Sequence, residues 1–267
     1  MRMKQLNDFY TTLWQQYIAI CPQALSIHHL FEREGEVLVN DHVAFRTFAN
    51  SPISLDYLEP EILALGYQYF DSYQFKEKKL TARCYIHANS PTKIFISQFH
   101  WHELSSDGQR IIKKLIKSIN AEILPRLSSG RLWLLPSYQD YLTLLDQSEY
   151  AAWLSIWGLR ANHFTLFINK LKKYTSISNV VELLLLHHYK LNSSGGIIKG
   201  KKEQLLIQAS TLADKQTVKF DDGTEQLVST CYYEFAERFK QADGKLYQGF
   251  IAANADKIFE STDMKTN

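Results

Sequence analysis

The sequence predicts an α+β fold in which one βαβββ module occurs twice. Two observations support this prediction. The order of strands and helices expected over residues 40–102 recurs over residues 159–250, and the first strand of each copy carries a histidine near its start, His42 or His163. Because the two copies share few identical residues, the repeat is visible only as a pattern of elements.

The first module follows from local patterns of apolar and turn-forming residues. Before it, apolar residues at helical spacing predict a core-packing helix over 5–20. Asn40 and Asp41 are turn formers that precede an alternating, strand-like run. The elements expected in this module are a strand over 42–48, a helix over 51–66 that is interrupted or offset by Pro60, and strands over 67–75, 80–88 and 92–102.

A helical connector over about 103–158 leads to the second module. Its helices are expected over 107–119 and 138–157. The second module is expected to contain a strand over 161–169, a helix over 179–190, and strands over 204–210, 216–220 and 226–235. The DDG stretch at 221–223 predicts a hairpin turn. The loop NSSGGIIKGKK lacks the order of a Walker motif, which favours a mobile connector or a lid.

Composition excludes several classes of protein. The 267 residues are 45% hydrophobic and 22% charged, which suits a folded core and argues against disorder. The longest apolar run is broken by Glu182 and two histidines, and the opening residues lack a signal peptide, so no membrane partner is expected. Three scattered cysteines (Cys21, Cys84 and Cys231) predict reduced, buried thiols and a cytoplasmic location. A net charge of +2 with mixed signs predicts no nucleic-acid surface.

The first strand carries a polar pair within an apolar run. Strand alternation puts His42 and Arg46 on one face. An imidazole can bind a metal, and a guanidinium can fork onto a carboxylate. The competing interpretation is an exposed strand face, or a buried arginine paired with some acid.

Two further residues complete a possible ligand set. Alone, His163 is typical of a satisfied core histidine, and Glu234 is typical of a salt bridge to Arg160 or Arg238. Together with His42 they form the two-histidine, one-carboxylate set that binds mononuclear Fe(II) and leaves positions open. The repeat places each on a strand, so pseudo-symmetry could bring them together inside one barrel. His100 and His102 of FHWHE are the rival source of a ligand.

Paired βαβββ modules resemble the vicinal oxygen chelate architecture, in which curved sheets form a half-open barrel around a metal. The motifs HVAFRTF, ANHFT, LIQAST followed by the DDG turn, and CYYEFAER, taken in order, resemble the 2-oxoadipate dioxygenase/decarboxylase family. That family was long catalogued as a domain of unknown function. Its members are Fe(II) enzymes whose fold is similar to that of hydroxymandelate synthase. The resemblance runs from about residue 5 to residue 250.

The resemblance implies a site and a reaction for a single catalytic domain over 1–267. His42, His163 and Glu234 would bind Fe(II), Arg46 would bind a substrate carboxylate, and Gln208 would contact the substrate. The implied reaction converts 2-oxoadipate and O2 into 2-hydroxyglutarate and CO2, in lysine catabolism. Well-described bacterial members are longer and complete their pocket with part of the additional C-terminal region. The resemblance therefore supports the metal ligands more strongly than the substrate.

Two other functions remain open on the residues alone. A glyoxalase-like isomerase or a metal-dependent hydrolase would use Zn²⁺ or Ni²⁺ as a Lewis acid, and oxygen dependence would separate these from a dioxygenase. A non-catalytic module would keep the fold and bind a small carboxylate. Since all three ligand positions are present, the enzyme is favoured.

Overall fold

One curled sheet joins the two modules. The protein is described by a computed structural model over residues 2–251, 258 and 260–262. The described helices are α1 (Arg2–Ile18), α2 (Pro22–Arg33), α3 (Leu55–Ala64), α4 (Ser106–Lys117), α5 (Tyr138–Gln147), α6 (Glu149–Trp157) and α7 (Ile177–Leu186). The strands are β1 (Asn40–Phe48), β2 (Gln68–Phe75), β3 (Leu80–His87), β4 (Ser90–Phe99), β5 (Ala161–Phe167), β6 (Leu206–Ser210), β7 (Lys215–Lys219), β8 (Glu225–Ser229) and β9 (Tyr232–Arg238).

The sheet has seven strands in the order β2-β3-β4-β1-β5-β9-β6. The first strands of the two modules, β1 and β5, are antiparallel neighbours at its centre. Each is also parallel to the last strand of its own module, since β1 pairs with β4 and β5 pairs with β9. The two modules are therefore related by an approximate two-fold between β1 and β5. The predicted α+β half-open barrel of vicinal oxygen chelate type is confirmed.

The second module differs in detail from the predicted strands. The strand expected over 226–235 is divided at Thr230 and Cys231, and β8 pairs with β7 in a separate two-stranded hairpin. Thr230 turns away from both ladders, because its N–H donates to Asp214 O and its hydroxyl donates to Ile20 O. The hairpin is largely exposed, whereas β9 is buried along almost its whole length. The second module therefore adds three strands to the main sheet, and the first adds four.

Helices α1 and α2 cover the outer face of β5 and β9. The helix expected over 5–20 is α1, and α2 is an element that the sequence patterns did not identify. Pro22 begins α2 at a position where its missing N–H costs no hydrogen bond. The Trp14 ring packs edge-on against Phe164, with 5.1 Å between centroids, and tilts against Tyr233 at 6.2 Å. Because the outer face forms the core with these helices, the opposite face of the same strands is left for polar residues.

Helix α6 packs against that inner face. The single helix expected over 138–157 is broken by Ser148, whose hydroxyl caps α6 by accepting from Ala151 N. Eight of the nine residues of α6 are buried, and Glu149 at its start is partly exposed. Tyr150 OH donates to Ser97 O at 2.6 Å, and Trp153 Nε1 donates to Thr230 O at 2.5 Å. These bonds fix α6 to strand β4 on one side and to the break between β8 and β9 on the other.

Two predictions about the chain as a whole can be compared with the described residues. Cys21, Cys84 and Cys231 are free and buried, as predicted. Within the described part of the chain, no helix combines the length and apolar character needed to cross a bilayer.

Candidate metal centre

The sheet register brings His42, His163 and Glu234 together. His42 lies opposite Thr165 on the neighbouring strand, and Thr165 lies opposite Glu234 on the next. His163 is two residues before Thr165 and therefore points to the same face. One ligand atom from each of the three residues lies within 4.8 Å of the other two. Three adjacent strands thus place three potential ligand side chains at one point of the inner face.

The three side chains are almost fully excluded from water. His42 is 1% exposed, His163 is 4% exposed and Glu234 is 0% exposed. His42 Nε2 lies 3.5 Å from Glu234 Oε1, and His163 Nε2 lies 3.6 Å from Glu234 Oε2. Burial raises the pKa of Glu234. Burial, with His42 and Arg46 nearby, lowers the pKa of His163 well below its usual range. A carboxylate buried away from water is a costly arrangement that a bound cation would relieve.

Both imidazoles are oriented through their Nδ1 atoms. His42 Nδ1 lies 2.8 Å from Asp41 Oδ1, and His163 Nδ1 lies 3.1 Å from Asn162 Oδ1. Since both partners are acceptors, each Nδ1 carries the proton and each Nε2 presents a lone pair to the centre. The Thr165 hydroxyl lies 3.0 Å from His42 Nε2 and can donate to that lone pair. The tautomers are therefore those that a metal requires.

A buried ion network keeps Asp41 charged. Arg238 donates from Nε to Asp41 Oδ2 at 2.5 Å and from Nη2 to Oδ1 at 2.8 Å. Lys93 Nζ lies 3.7 Å from Asp41 Oδ2. Burial opposes ionisation, but Arg238 and Lys93 outweigh it and hold the pKa of Asp41 well below its usual range. Arg238 therefore pairs with Asp41 and not with Glu234, contrary to the simple salt-bridge interpretation.

Sequence reasoning did not assign Asp41 or Lys93 to the site. Asp41 looked like a turn residue before a strand, and its position directly before His42 was the available signal. Lys93 lies opposite His42 in the β1–β4 register, which the sequence alone does not provide.

Gln208, which the resemblance implies as a substrate contact, lies beside Glu234. Its Nε2 donates to Glu234 Oε1 at 2.7 Å, and its side chain is fully buried. Neither Glu234 Oε2 nor Gln208 Oε1 has a hydrogen-bond partner among the described residues. Buried polar atoms are rarely left without a partner, so a carboxylate oxygen that has none and lies 3.6 Å from His163 Nε2 fits a metal ligand. The donor set of two nitrogens and one carboxylate suits a mononuclear divalent ion with open positions.

Arg46 shares the face of His42 but is already engaged. Its Nη1 lies 2.9 Å from Glu149 Oε1, and its Nη2 donates to Thr262 Oγ1 at 3.1 Å. The guanidinium carbon lies 4.7 Å from the ring centroid of Tyr150 and 4.9 Å from that of Trp153. The structure thus shows a buried arginine paired with an acid. Its position on the inner face also suits the carboxylate contact that the resemblance implies.

The rival histidines lie outside the centre. His100 Nε2 is 3.1 Å from Thr81 Oγ1, and the His102 ring stacks on Trp101 with 3.6 Å between centroids. Neither belongs to the ligand group formed by the residues that the structure describes.

Comparison with known proteins identifies related sequences. The family model described as 2-oxoadipate dioxygenase/decarboxylase matches residues 126–245, a range that contains His163, Gln208 and Glu234. A chloroplastic 2-oxoadipate dioxygenase/decarboxylase from Arabidopsis thaliana is 34% identical over 257 residues, which cover 86% of this chain and 69% of that protein.

Solved structures extend the likeness to the whole fold. The crystal structure of the hydroxyglutarate synthase from Oryza sativa in complex with 2-oxoadipate superposes with a TM-score of 0.92 at 30% identity, covering 99% of this chain and 94% of that one. A candidate hydrolase from Shewanella frigidimarina superposes with a TM-score of 0.87 at 40% identity, covering 92% of this chain and 97% of that one. Because these matches extend across most of its length, the chain belongs to the 2-oxoadipate dioxygenase/decarboxylase family.

Proposed function

We propose that the chain acts as one catalytic domain, a non-haem Fe(II) dioxygenase that decarboxylates a 2-oxo dicarboxylic acid. The best-supported reaction is the conversion of 2-oxoadipate to 2-hydroxyglutarate and CO2. The observation that carries the proposal is the convergence of His42, His163 and Glu234, with both Nε2 atoms turned toward the carboxylate. Non-haem Fe(II) oxygenases use this ligand set and keep positions open for substrate and oxygen.

The proposed reaction balances with O2 as the only other reactant. C1 of 2-oxoadipate leaves as CO2, C2 becomes a carboxyl carbon, and C3 gains a hydroxyl group. Both atoms of O2 therefore end in the organic product. When bound, Fe(II) would supply a site for the 2-oxo acid and the activation of oxygen. No separate 2-oxo acid cosubstrate is required.

The protein's own groups would hold the reactants and exclude water. Asp41 and Asn162 keep the ligand histidines in one tautomer, and Gln208 holds one oxygen of Glu234. These contacts exist before substrate arrives, so little reorganisation is needed. A dry inner face also protects reactive species from side reactions.

Arg46 is proposed to bind the substrate carboxylate that lies away from the metal. Its guanidinium is stacked on two aromatic rings and cannot swing freely. A carboxylate that reaches it must share it with Glu149 or replace Thr262. Substrate length is therefore constrained by the fixed position of this fork.

Entry of the substrate requires movement of groups that cover the ligands. Phe250 is half-buried, and its ring centroid lies 6.1 Å from that of His42 and 5.0 Å from that of Phe95. Arg238 Nη1 holds this stretch by donating to the carbonyls of Tyr247 and Gly249, at 3.0 and 2.8 Å. The segment leading to Phe250 is thus hydrogen-bonded to Arg238, the same residue that keeps Asp41 ionised.

The test is anaerobic reconstitution with Fe(II), followed by measurement of O2 uptake and CO2 release with a panel of 2-oxo acids. We expect 2-oxoadipate to give equal amounts of both and to carry both atoms of ¹⁸O2 into the product. His42→Ala should abolish turnover, whereas the matched control His100→Ala, outside the centre, should keep it. Turnover that needs no oxygen would instead support the isomerase or hydrolase, and unchanged turnover in His42→Ala would refute the ligand set.

A further inference from the structure

Lys199 lies on the inner face although it belongs to the loop between α7 and β6. Its backbone forms an isolated bridge with Gln208, in which each N–H donates to the other's carbonyl, at 2.8 and 2.9 Å. Residues paired in this way project their side chains to the same face. Lys199 therefore stands next to Gln208, whose amide contacts Glu234.

The Lys199 ammonium is buried, and its described hydrogen-bond acceptors are backbone carbonyls. The residue is 4% exposed, and Nζ donates to the carbonyls of Asn192 at 2.5 Å and Ile197 at 3.4 Å. Both acceptors are neutral. Among the described residues no carboxylate forms an ion pair with it, whereas Arg46, Lys93 and Arg238 each have one. A buried charge without a counter-ion is costly, so this ammonium favours an anionic ligand.

The amine remains charged near neutral pH. Burial lowers the pKa of Lys199 to about 8, although Glu234 and Glu260 act in the opposite direction. Both carboxylates have other roles. Glu234 faces the two histidines, and Glu260 accepts a hydrogen bond from Ser194. A divalent cation at the centre would offset the negative charge of Glu234, so Glu234 would then compensate the charge of Lys199 less.

Lys199 and Arg46 are connected by a short series of contacts. Lys199 Nζ donates to Asn192 O, and Asn192 Nδ2 donates to Ser261 Oγ at 2.8 Å. The next residue, Thr262, accepts from Arg46 Nη2. This series joins the surroundings of the two cations. Arg46 has its charge matched by Glu149, whereas Lys199 forms no ion pair with a carboxylate that the structure describes.

We propose that Lys199 binds the distal carboxylate of a 2-oxo dicarboxylic acid and so selects dicarboxylates over monocarboxylates of the same length. The inference rests on the proposed function and adds a specificity-determining residue to it. The planar fork of Arg46 orients the carboxylate. Because Glu149 balances the charge of Arg46, Lys199 supplies the positive charge that attracts the carboxylate.

The test measures binding of 2-oxoadipate and of 2-oxohexanoate, which lacks the distal carboxylate, to Fe(II)-loaded protein by anaerobic calorimetry. Lys199→Gln keeps a donor for the loop carbonyls and removes the charge. We expect it to weaken 2-oxoadipate binding about 10- to 100-fold, the usual range for a charged hydrogen bond, and to leave 2-oxohexanoate almost unchanged. Lys199→Arg should keep most of the preference. Lys201→Gln, an exposed change on the same loop, should match the wild type.

Unchanged 2-oxoadipate binding in Lys199→Gln, or equal losses for both acids, would overturn the inference alone. A wild type that binds neither acid would overturn the proposed function and the inference together. A further readout does not depend on the folding of any variant. In wild-type protein loaded with diamagnetic Zn²⁺, the NMR signal of Lys199 Nζ should shift with 2-oxoadipate and not with 2-oxohexanoate, and the absence of that shift would contradict the role.

Discussion

Asp41 is the residue on which the orientation of His42 depends. It is fully buried, accepts from the imidazole and is itself held by Arg238. We expect Asp41→Asn to weaken Fe(II) binding about 10- to 100-fold, because partners of metal-binding histidines typically have effects of that size. Stability should also fall, since Arg238 would remain buried with less compensation. Metal titration and urea unfolding measure the two effects separately.

Glu36 provides the matched control for Asp41. It is also a buried acid, but it accepts from the backbone N–H groups of Lys172 and Lys173 at 2.7 and 2.6 Å, away from the centre. Glu36→Gln should lower the free energy of unfolding and leave Fe(II) affinity intact. Equal metal affinity in Asp41→Asn and the wild type would show that Asp41 is only structural.

Arg46 is expected to act through its shape as well as its charge. Arg46→Lys keeps the charge and loses the bidentate fork and the stacking on Tyr150 and Trp153. We expect the KM for 2-oxoadipate to rise about tenfold, with iron still bound, because one charge-assisted hydrogen bond is lost. Steady-state kinetics on the reconstituted enzyme measure this change. The control is Arg83→Lys, at a half-exposed arginine paired with Asp56 and Glu59, and an unchanged KM in Arg46→Lys would remove Arg46 from the substrate site.

Much of the centre could be predicted from single residues, because strand alternation places His42 and Arg46 on one face. The repeat then identified His163 as a second candidate ligand. Glu234 could be identified because it is an acid in an otherwise apolar strand. The Asp41–Arg238 pair could not be predicted, since its members are 197 residues apart and the pairing depends on packing across the sheet. The burial of Lys199 could not be predicted either, because it lies in a loop whose glycines and lysines are typical of an exposed linker.

At the scale of elements, the sequence predicted most strands but not their neighbours. The run QLVSTCYYEF is continuously strand-like, yet β8 leaves the sheet and β9 continues in it. Propensity cannot separate them, because the division is made by contacts of Thr230 with Ile20 and Asp214. The candidate metal centre depends on this division, since the pairing of β9 with β5 brings Glu234 to His163.

The junction from α6 to β5 depends on Gly158. This residue has φ of +69°, and a Cβ there would lie 2.4 Å from Arg131 Cα and 2.5 Å from Gly130 O. Backbone atoms cannot move aside cheaply, so Gly158→Ala should lower the free energy of unfolding by about 3 kcal/mol or more. At Gly223, with φ of +82° and nothing within 4 Å, alanine should cost only about 1 kcal/mol. Urea unfolding measures both, and similar losses would contradict the close approach.

At the scale of the whole molecule, metal binding and folding should be linked. The ligands come from both modules, so an ion at the centre binds the folded chain and not its separated halves. At about a hundredfold excess over Kd, such an ion adds about 2.7 kcal/mol to stability. We expect thermal unfolding to shift upward with Fe(II) under anaerobic conditions and to return with a chelator. No shift in the wild type would contradict a preformed centre.

The inner face also explains why an anionic substrate is expected. Its buried cations are Arg46, Lys93, Lys199 and Arg238, and its buried carboxylates are Asp41 and Glu234, with Glu149 at the edge. A divalent ion makes this face more positive still. Exclusion of water strengthens the attraction for a dicarboxylate.

The number of Fe(II) ions bound per chain under anaerobic conditions tests the central claim most directly. We expect one ion in the wild type, none tightly bound in Glu234→Ala, and one in Glu237→Ala. Glu237 lies on the same strand, but its carboxylate accepts from Ile177 N, outside the centre. Retention of the ion by Glu234→Ala, at wild-type affinity, would contradict the account.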